Sequence, residues 1–302
     1  MQVRFTKLEI INKGWVKKLN QTNRAPYFFI APAVILFLLF TAYPIIASLY
    51  LSFQRYEGGS YSFVGLANYS RLMGDSIFWT ALSNTFIIFI FQVPIMLILA
   101  MILASVLNSQ LLKLKGFFRV SFFLPAVTSL VAYSLLFSVM LQDNGLFNEL
   151  LSYIGIGPIP WLSDATWAKV SIIMAMTWRW TGYNMIIFLA ALQNIPEEMY
   201  EAASIDGAGK IRQFFSITIP NLKPIILFAG ILSTIGTLQL FDEPFNLTSG
   251  GPGNATMTLG LYIYENGFEY FDFSYGSAVA YVVVVLVAVL SFVQFKFTGD
   301  KS

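Results

Sequence analysis

The sequence lacks two residue types completely, since none of its 302 residues is cysteine or histidine. Disulfide bridges, thiol catalysis and zinc sites of the usual kind are therefore excluded. Charged residues are also scarce, at 11% of the chain, against about 25% in an average soluble domain. The net charge of +2 is too small to indicate nucleic acid as a partner. Apolar residues make up 57% of the chain, so the composition indicates a membrane protein.

Six windows with few or no charges are candidates for membrane spans, because about 20 apolar residues cross the hydrocarbon core as a helix. The fourth window is interrupted by Arg179, and the fifth is short enough that we expect it to run on through residues 242–247. The predicted spans are residues 27–53, 81–107, 120–142, 165–192, 224–241 and 273–295. The sequence thus predicts an all-α integral membrane protein. It has a basic tail at 1–26, a six-helix domain at 27–296 and a short tail at 297–302.

Lysine and arginine predict the orientation, because cytoplasmic loops retain these residues. Fourteen fall on one side of the predicted spans. Three, Arg55, Arg71 and Lys169, fall on the other. Both termini are therefore expected in the cytoplasm. The first window is too long for the apolar region of a signal peptide, so we expect a retained anchor.

The most specific pattern lies in the polar stretch between the fourth and fifth windows. It consists of Glu201-Ala202-Ala203, then Gly207, then Ile217-Thr218-Ile219-Pro220. This spacing resembles a cytoplasmic loop of permeases from ATP-binding-cassette importers, with Ile219 where that family usually has leucine. Residues 195–209 resemble the sugar-importing branch in particular. Thr248-Ser249-Gly250-Gly251-Pro252 is similar to a Gly-Gly-Pro element after the fifth helix of that family.

The resemblance implies a type I importer fold in a bacterial or archaeal cell membrane. It also implies a coupling loop, residues 193–224, that docks on a separate ATPase. Its partners would be a second similar permease, two ATPase subunits, an extracytoplasmic solute-binding protein and the lipid bilayer. ATP and magnesium would then belong to the partner ATPase, so this chain is expected to be no enzyme and to hold no cofactor or metal. The coupling residues implied are Glu201, Ala202, Ala203, Asp206, Gly207 and Pro220.

The local chemistry of this loop predicts a pair of short helices. Asn194 can cap a first helix, and Gly207 is predicted to take a positive φ in the turn that ends it. A second helix at 210–217 is expected to end before Pro220. Gly209-Lys210 could suggest a phosphate-binding loop, but a Walker A element needs glycine at position 204 and Ser or Thr at 211. Serine and isoleucine stand there, so ATP binding by that motif is excluded.

Polar side chains at membrane depth mark a candidate substrate path, because such groups are costly and usually functional. Aromatic rings stack on sugar rings, and amides hydrogen-bond hydroxyl groups. An alternative is that Arg179 pairs with an acid such as Asp242 only to hold helices together. The candidate path residues are Trp178, Arg179, Trp180, Tyr183, Asn184, Gln239, Asp242 and Glu243.

These observations favour a permease subunit that carries an oligosaccharide or related sugar. Glycerol phosphate is an alternative cargo, with Arg179 as the one cation deep in the predicted membrane region. An ion-coupled secondary transporter is a different class, which would need intramembrane carboxylates or histidines as a relay. The chain has no histidine, and Asp242 and Glu243 stand alone near one membrane face. A membrane receptor without transport is a third class. Whether ATPase and binding-protein genes lie beside this gene would distinguish an importer from a receptor.

Overall fold

The computed structural model describes residues 25–109 and 112–298, and most of them are helical. A single antiparallel hairpin pairs Gln54 with Phe63 and Glu57 with Ser60. The first half of the chain consists of α1 (Ala25–Phe37), a π-helical turn (Leu38–Ala42), α2 (Tyr43–Ser52), β1 (Gln54–Glu57), β2 (Ser60–Phe63), α3 (Ala67–Met73), α4 (Ser76–Asn108), α5 (Lys115–Val127), α6 (Leu130–Met140) and α7 (Leu146–Ser152).

The second half begins with the long helix α8 and ends with the long helix α14. It consists of α8 (Ala165–Leu192), α9 (Glu197–Ile205), α10 (Lys210–Gln213), a second π-helical turn (Phe214–Thr218), α11 (Ile219–Leu238), α12 (Asp242–Thr248), α13 (Leu259–Tyr264), a third π-helical turn (Glu265–Glu269) and α14 (Phe273–Thr298).

Within the described residues, four helical runs are long and apolar enough to cross a membrane. The pair α5 and α6 makes a fifth if it is one bent span. Helix α8 has 28 residues, or about 42 Å at 1.5 Å per residue. Its length suffices to cross, but Lys169 and Arg179 make it less apolar. The four runs are Pro26–Ser52, Ser76–Asn108, Lys210–Leu238 and Phe273–Phe297.

The third predicted span, residues 120–142, is broken, so the expectation of one continuous helix there is wrong. Helices α5 and α6 meet at an angle of 97°. Thr128 and Ser129 between them have extended backbone, with ψ of 143° and 136°. The hydroxyl of Thr128 donates to the carbonyl of Leu124 at 2.9 Å. A short polar side chain thus gives the backbone an alternative to continuing the helix.

The fifth predicted span does not run on through 242–247, because α11 ends at Leu238 and α12 is a separate helix. Thr258, which caps α13, donates its hydroxyl to the carbonyl of Leu240 at 2.6 Å. A Cβ on Gly260 would stand 2.5 Å from that same carbonyl oxygen. The start of α13 therefore occupies the backbone groups that a continuing α11 would use.

At its other end the fifth span begins earlier than predicted, and Pro220 does not stop a helix. The run Lys210–Leu238 passes through Pro220 by way of the second π-helical turn. The N–H of Ile219 bonds the carbonyl of Phe214, five residues back. Tyr43 likewise bonds Leu38 just before Pro44. A proline ring normally clashes with the carbonyl four residues earlier, and a widened turn ahead of it relieves that conflict.

Helices α4 and α8 form the centre of the bundle, and α5 and α11 pack on them. Gly182 on α8 permits an unusually close backbone contact. A Cβ there would stand 1.7 Å from the carbonyl oxygen of Phe122 on α5. The first part of the N-terminal run Pro26–Ser52, by contrast, is exposed, with Tyr27, Phe28 and Phe29 on α1 each at least 77% exposed. Its second part, α2, contacts α14, where the hydroxyl of Tyr281 donates to the carbonyl of Ile45.

Candidate functional site

A cavity of about 370 Å³ lies among α4, α8 and α11, next to both helix breaks. Leu130 at the start of α6 lines it, as do residues 239–241 between α11 and α12. The lining residues are Gln92, Met96, Leu130, Met176, Arg179, Trp180, Tyr183, Asn184, Leu232, Ser233, Gly236, Thr237, Gln239, Leu240, Phe241, Asp242 and Glu243.

The structure brings seven of the eight predicted path residues together around this cavity. The exception is Trp178, which does not line this cavity. Its ring lies 5.4 Å from that of Phe137 and 6.4 Å from that of Tyr133, and it is 43% exposed. Neighbouring residues on a helix point about 100° apart, so Arg179 can face the cavity while Trp178 does not.

Arg179 is 7% exposed, and its guanidinium lies against two aromatic rings. Its Cζ is 4.6 Å from the ring centre of Tyr133 and 5.5 Å from that of Trp180. Both its Nε and Nη1 are buried without a hydrogen-bond partner. Within the described residues, neither Arg179 nor Asp242 takes part in an ion pair. The predicted alternative of an Arg179–Asp242 pair is therefore not formed.

Glu243 is 3% exposed and accepts a hydrogen bond from the hydroxyl of Tyr133. This contact joins α12 to α6 at the edge of the cavity. The sequence analysis missed Tyr133, which was hidden in the apolar third window. The signal that could have found it is a tyrosine hydroxyl at membrane depth, since such a group needs a partner when buried.

A second polar group in the cavity wall uses methionine sulfur as an acceptor. The amide nitrogens of Gln92 and Asn184 lie 3.3 and 3.5 Å from the Sδ of Met96. Thr237 donates its hydroxyl to the carbonyl oxygen of Gln92 at 3.3 Å. A thioether is a weak acceptor, so the amide of Gln92 is only weakly satisfied. The amide of Asn184 also donates to the carbonyl of Trp180 at 3.0 Å. Gln92 was missed by the sequence analysis, although it is an amide in the middle of the second window.

The predicted docking element is present as α9 and α10 with a tight turn between them. Gly207 has φ of +77°, which confirms the predicted positive φ. The N–H of Ala208 bonds the carbonyl of Ala203 at 2.8 Å, which closes the end of α9. Gln213 then locks the two helices. Its side-chain nitrogen donates to the hydroxyl of Ser204 at 2.8 Å and to the carbonyl of Ala208 at 2.9 Å.

The surface of α9 is uncovered, with no buried residue along the whole helix. Of the predicted coupling residues, Ala203 is half-buried and the others are exposed. Ile205 is 87% exposed and Ile211 78% exposed, so the turn presents apolar side chains outward. The predicted cap by Asn194 is wrong. Its side chain donates back to Ala190 at 3.0 Å, and Pro196 precedes α9 without a side-chain cap.

A polar layer forms at the opposite end of the bundle from the docking element. Asp75 caps α4 and accepts hydrogen bonds from the hydroxyls of Tyr262 and Tyr275. Burial raises the pKa of this carboxyl, but these bonds and those from the backbone N–H groups outweigh it. The net effect lowers the pKa of Asp75. Arg71 pairs with Asp272 nearby at 2.7 Å.

The predicted Gly-Gly-Pro turn follows α12, with φ of +48° at Ser249 and +79° at Gly250. The hydroxyls of Thr248 and Thr256 lie 2.6 Å apart and tie the turn to the loop that follows. The described residues contain no group of three or more acidic side chains that could hold a metal ion.

Comparison with known proteins gives one family for most of the chain. Residues 64–297 match the family described as "Binding-protein-dependent transport system inner membrane component". The lactose transport system permease protein LacF of Rhizobium radiobacter is 54% identical over 91% of this chain and 94% of its own. The arabinooligosaccharides transport system permease protein AraP of Halalkalibacterium halodurans is 37% identical over 93% of this chain and 89% of its own.

A solved structure has the same fold. It is a bacterial alginate ABC transporter in complex with an alginate pentasaccharide-bound periplasmic protein. One of its chains superposes with a TM-score of 0.80 at 22% identity, covering 93% of this chain and 96% of that one. At this identity the similarity establishes the fold alone.

Proposed function

The chain belongs to the family of inner-membrane components of binding-protein-dependent transport systems, and on that premise we propose that it translocates an oligosaccharide or related sugar. The cavity carries this proposal. Seven side chains predicted from the sequence for a substrate path line one cavity of about 370 Å³. That volume lies near the lower end of the range for ligand pockets, about 300–1,000 Å³.

The chemistry of the cavity suits a sugar. Trp180 and Tyr183 supply aromatic faces, and Gln92 supplies an amide donor whose acceptor is the sulfur of Met96. Asn184 supplies a second amide, which also donates to the carbonyl of Trp180 at 3.0 Å. The relatives named for lactose and arabino-oligosaccharides support the same class of cargo. Family membership removes the support for an ion-coupled secondary transporter.

The energy would come from a separate ATPase that docks on α9 and α10. The exposed apolar side chains of Ile205 and Ile211 suit burial in a protein cleft, and the Gln213 bonds hold the helix pair rigid. A rigid element transmits movement of the ATPase to the bundle, whereas a loose connector would absorb it. ATP and magnesium would bind only to that partner.

Two further partners complete the proposed machine in a bacterial or archaeal cell membrane. The exposed first part of the run Pro26–Ser52 offers a surface for a second, similar permease. An extracytoplasmic solute-binding protein would deliver the sugar to the outer ends of the helices. The complex of the alginate transporter with its periplasmic protein supports that arrangement.

Reconstitution in liposomes tests this proposal. The chain is combined with the permease and ATPase encoded beside it and with the cognate binding protein, and uptake of radiolabelled lactose and arabino-oligosaccharides is measured. We expect ATP-dependent uptake of at least one sugar, and none when the ATPase is omitted. Sustained uptake by this chain without an ATPase would contradict the importer assignment.

A further inference from the structure

Arg179 is a buried cation that the protein holds in place but does not neutralise. Two aromatic rings fix its guanidinium, while Nε and Nη1 have no partner and no carboxylate of the described residues forms an ion pair with it. Arginine stays charged in proteins, so the group cannot relieve its burial by losing a proton. Polar groups that are buried without a partner are costly, and Arg179 is one of the residues that line the cavity.

The carboxylate that could neutralise Arg179 is held by another group. Glu243 lines the same cavity, but the hydroxyl of Tyr133 donates to its Oε1. Tyr133 therefore touches both partners, with its ring under the guanidinium and its hydroxyl on the carboxylate. This arrangement leaves the guanidinium of Arg179 beside the cavity without a carboxylate partner among the described residues.

The charges around the cavity disfavour an anion as that ligand. Arg179 is the single cation among the lining residues, whereas Asp242 and Glu243 are both acids. The cavity therefore has no excess of positive charge to offer a phosphate or a carboxylate. The planar fork of a guanidinium nevertheless presents parallel N–H donors, which match two neighbouring oxygen atoms.

We propose that the guanidinium of Arg179 binds a pair of neighbouring oxygen atoms on an uncharged sugar, and that Tyr133 is a positioning residue that keeps Glu243 away from the guanidinium. The proposal rests on the function proposed above and narrows its cargo class. It excludes glycerol phosphate as the preferred ligand of the cavity.

A single cysteine provides the readout, because the native chain has none. Gln239→Cys places a thiol on the cavity wall. In the complete purified transporter, without the binding protein, the rate of modification by a small water-soluble maleimide is measured. The probes are lactose, arabinotriose and glycerol 3-phosphate, each titrated to obtain a half-protecting concentration. We expect a neutral sugar to slow labelling, and glycerol 3-phosphate to have no effect over the same range.

Variants of Arg179 then test the contact itself. Arg179→Lys keeps the charge but loses the fork. Removing a hydrogen bond to a charged group costs enough that the half-protecting concentration of the sugar should rise about tenfold. Labelling without sugar should be unchanged, since the cavity remains open to the reagent. Unchanged protection in Arg179→Lys and Arg179→Gln would overturn the proposal.

The positioning role has a rescue test that a merely structural role would fail. Tyr133→Phe keeps the ring under Arg179 but frees Glu243, so we expect the half-protecting concentration to rise severalfold. Adding Glu243→Gln to Tyr133→Phe removes the competing charge and should restore protection. Failure of the second change to restore it would refute the role given to Tyr133.

Two other results of the labelling experiment would overturn the proposal about Arg179. Protection by glycerol 3-phosphate at lower concentration than by either sugar would show that Arg179 pairs with an anion. Protection by none of the probes would remove the cavity contact altogether. If liposome uptake persists in either case, the proposed function stands and only this inference fails.

Discussion

Gly207 occupies a backbone conformation that other residues avoid, and this makes it the sharpest test of the docking element. Its φ is +77°, yet a Cβ there would meet no atom within 4 Å. Any effect of a substitution on folding of the turn must then come from backbone strain and not from crowding. A β-branched residue at positive φ is a steric outlier.

We therefore predict that Gly207→Val abolishes sugar-stimulated ATP hydrolysis by the complete transporter while insertion into the membrane is retained. Gly209→Val is the matched control. Gly209 also has open space around it, but its φ is −67°. Steady-state ATPase assays with binding protein and sugar measure the difference. If sugar stimulates ATP hydrolysis equally in both variants, the conformation of this loop does not matter for coupling.

Sequence reasoning found residues that stand out by charge, and it missed those whose role depends on a fold. Arg179 is a cation in the middle of an apolar window, so it could be found without a structure. Tyr133 and Gln92 look ordinary in their windows. Their contacts exist only in the folded structure, where Tyr133 on α6 bonds Glu243 on α12 and Gln92 on α4 bonds Thr237 on α11.

At the scale of helices, the contact of α5 with α8 depends on the absence of one side chain. Gly182 faces the backbone of Phe122 so closely that a Cβ would stand 1.7 Å from its carbonyl oxygen and 2.6 Å from its carbonyl carbon. A backbone atom cannot move aside as the end of a flexible side chain can. Any larger residue must push the two helices apart.

Gly182→Ala should accordingly destabilise the protein by about 1–3 kcal/mol or more, as overpacking of a core does. Gly230→Ala on α11 is the control, because its Cβ would meet nothing within 4 Å. Alanine in a helix interior should leave stability equal or raise it by about 0.5–1 kcal/mol. Thermal unfolding of the purified variants distinguishes the two. A Gly182→Ala protein as stable as the control would show that the helices separate freely.

The helix windows were predictable from hydrophobicity, whereas the breaks within them were not. Apolar content indicates which segments can lie in lipid. It carries no information about where a helix bends or ends. The bend of 97° between α5 and α6 depends on Thr128 and Ser129. The end of α11 depends on a hydroxyl of Thr258, which is distant in the sequence from Leu240. No local pattern could have indicated that contact.

For the whole molecule, the distribution of lysine and arginine predicts the orientation, and the structure supplies two positions to test it. Ser60 lies on the β1–β2 hairpin and Glu198 on α9, and both are exposed. In intact cells, Ser60→Cys should react with a membrane-impermeant thiol reagent. Glu198→Cys should react only after the membrane is permeabilised. The reverse pattern would place both termini outside.

The π-helical turn at Phe214–Thr218 has a consequence for aligning relatives of this chain. Each turn of this kind holds one residue more than an α-helical turn, which rotates everything beyond it by about 100°. If the α-helical period of 3.6 residues is continued from α10 through this turn, it assigns Thr237 and its neighbours on α11 to the wrong face of the helix. A relative that lacks one residue of this turn would still be helical on both sides of it. An alignment that forbids gaps in helices would then compare residues that line the cavity with residues that face elsewhere.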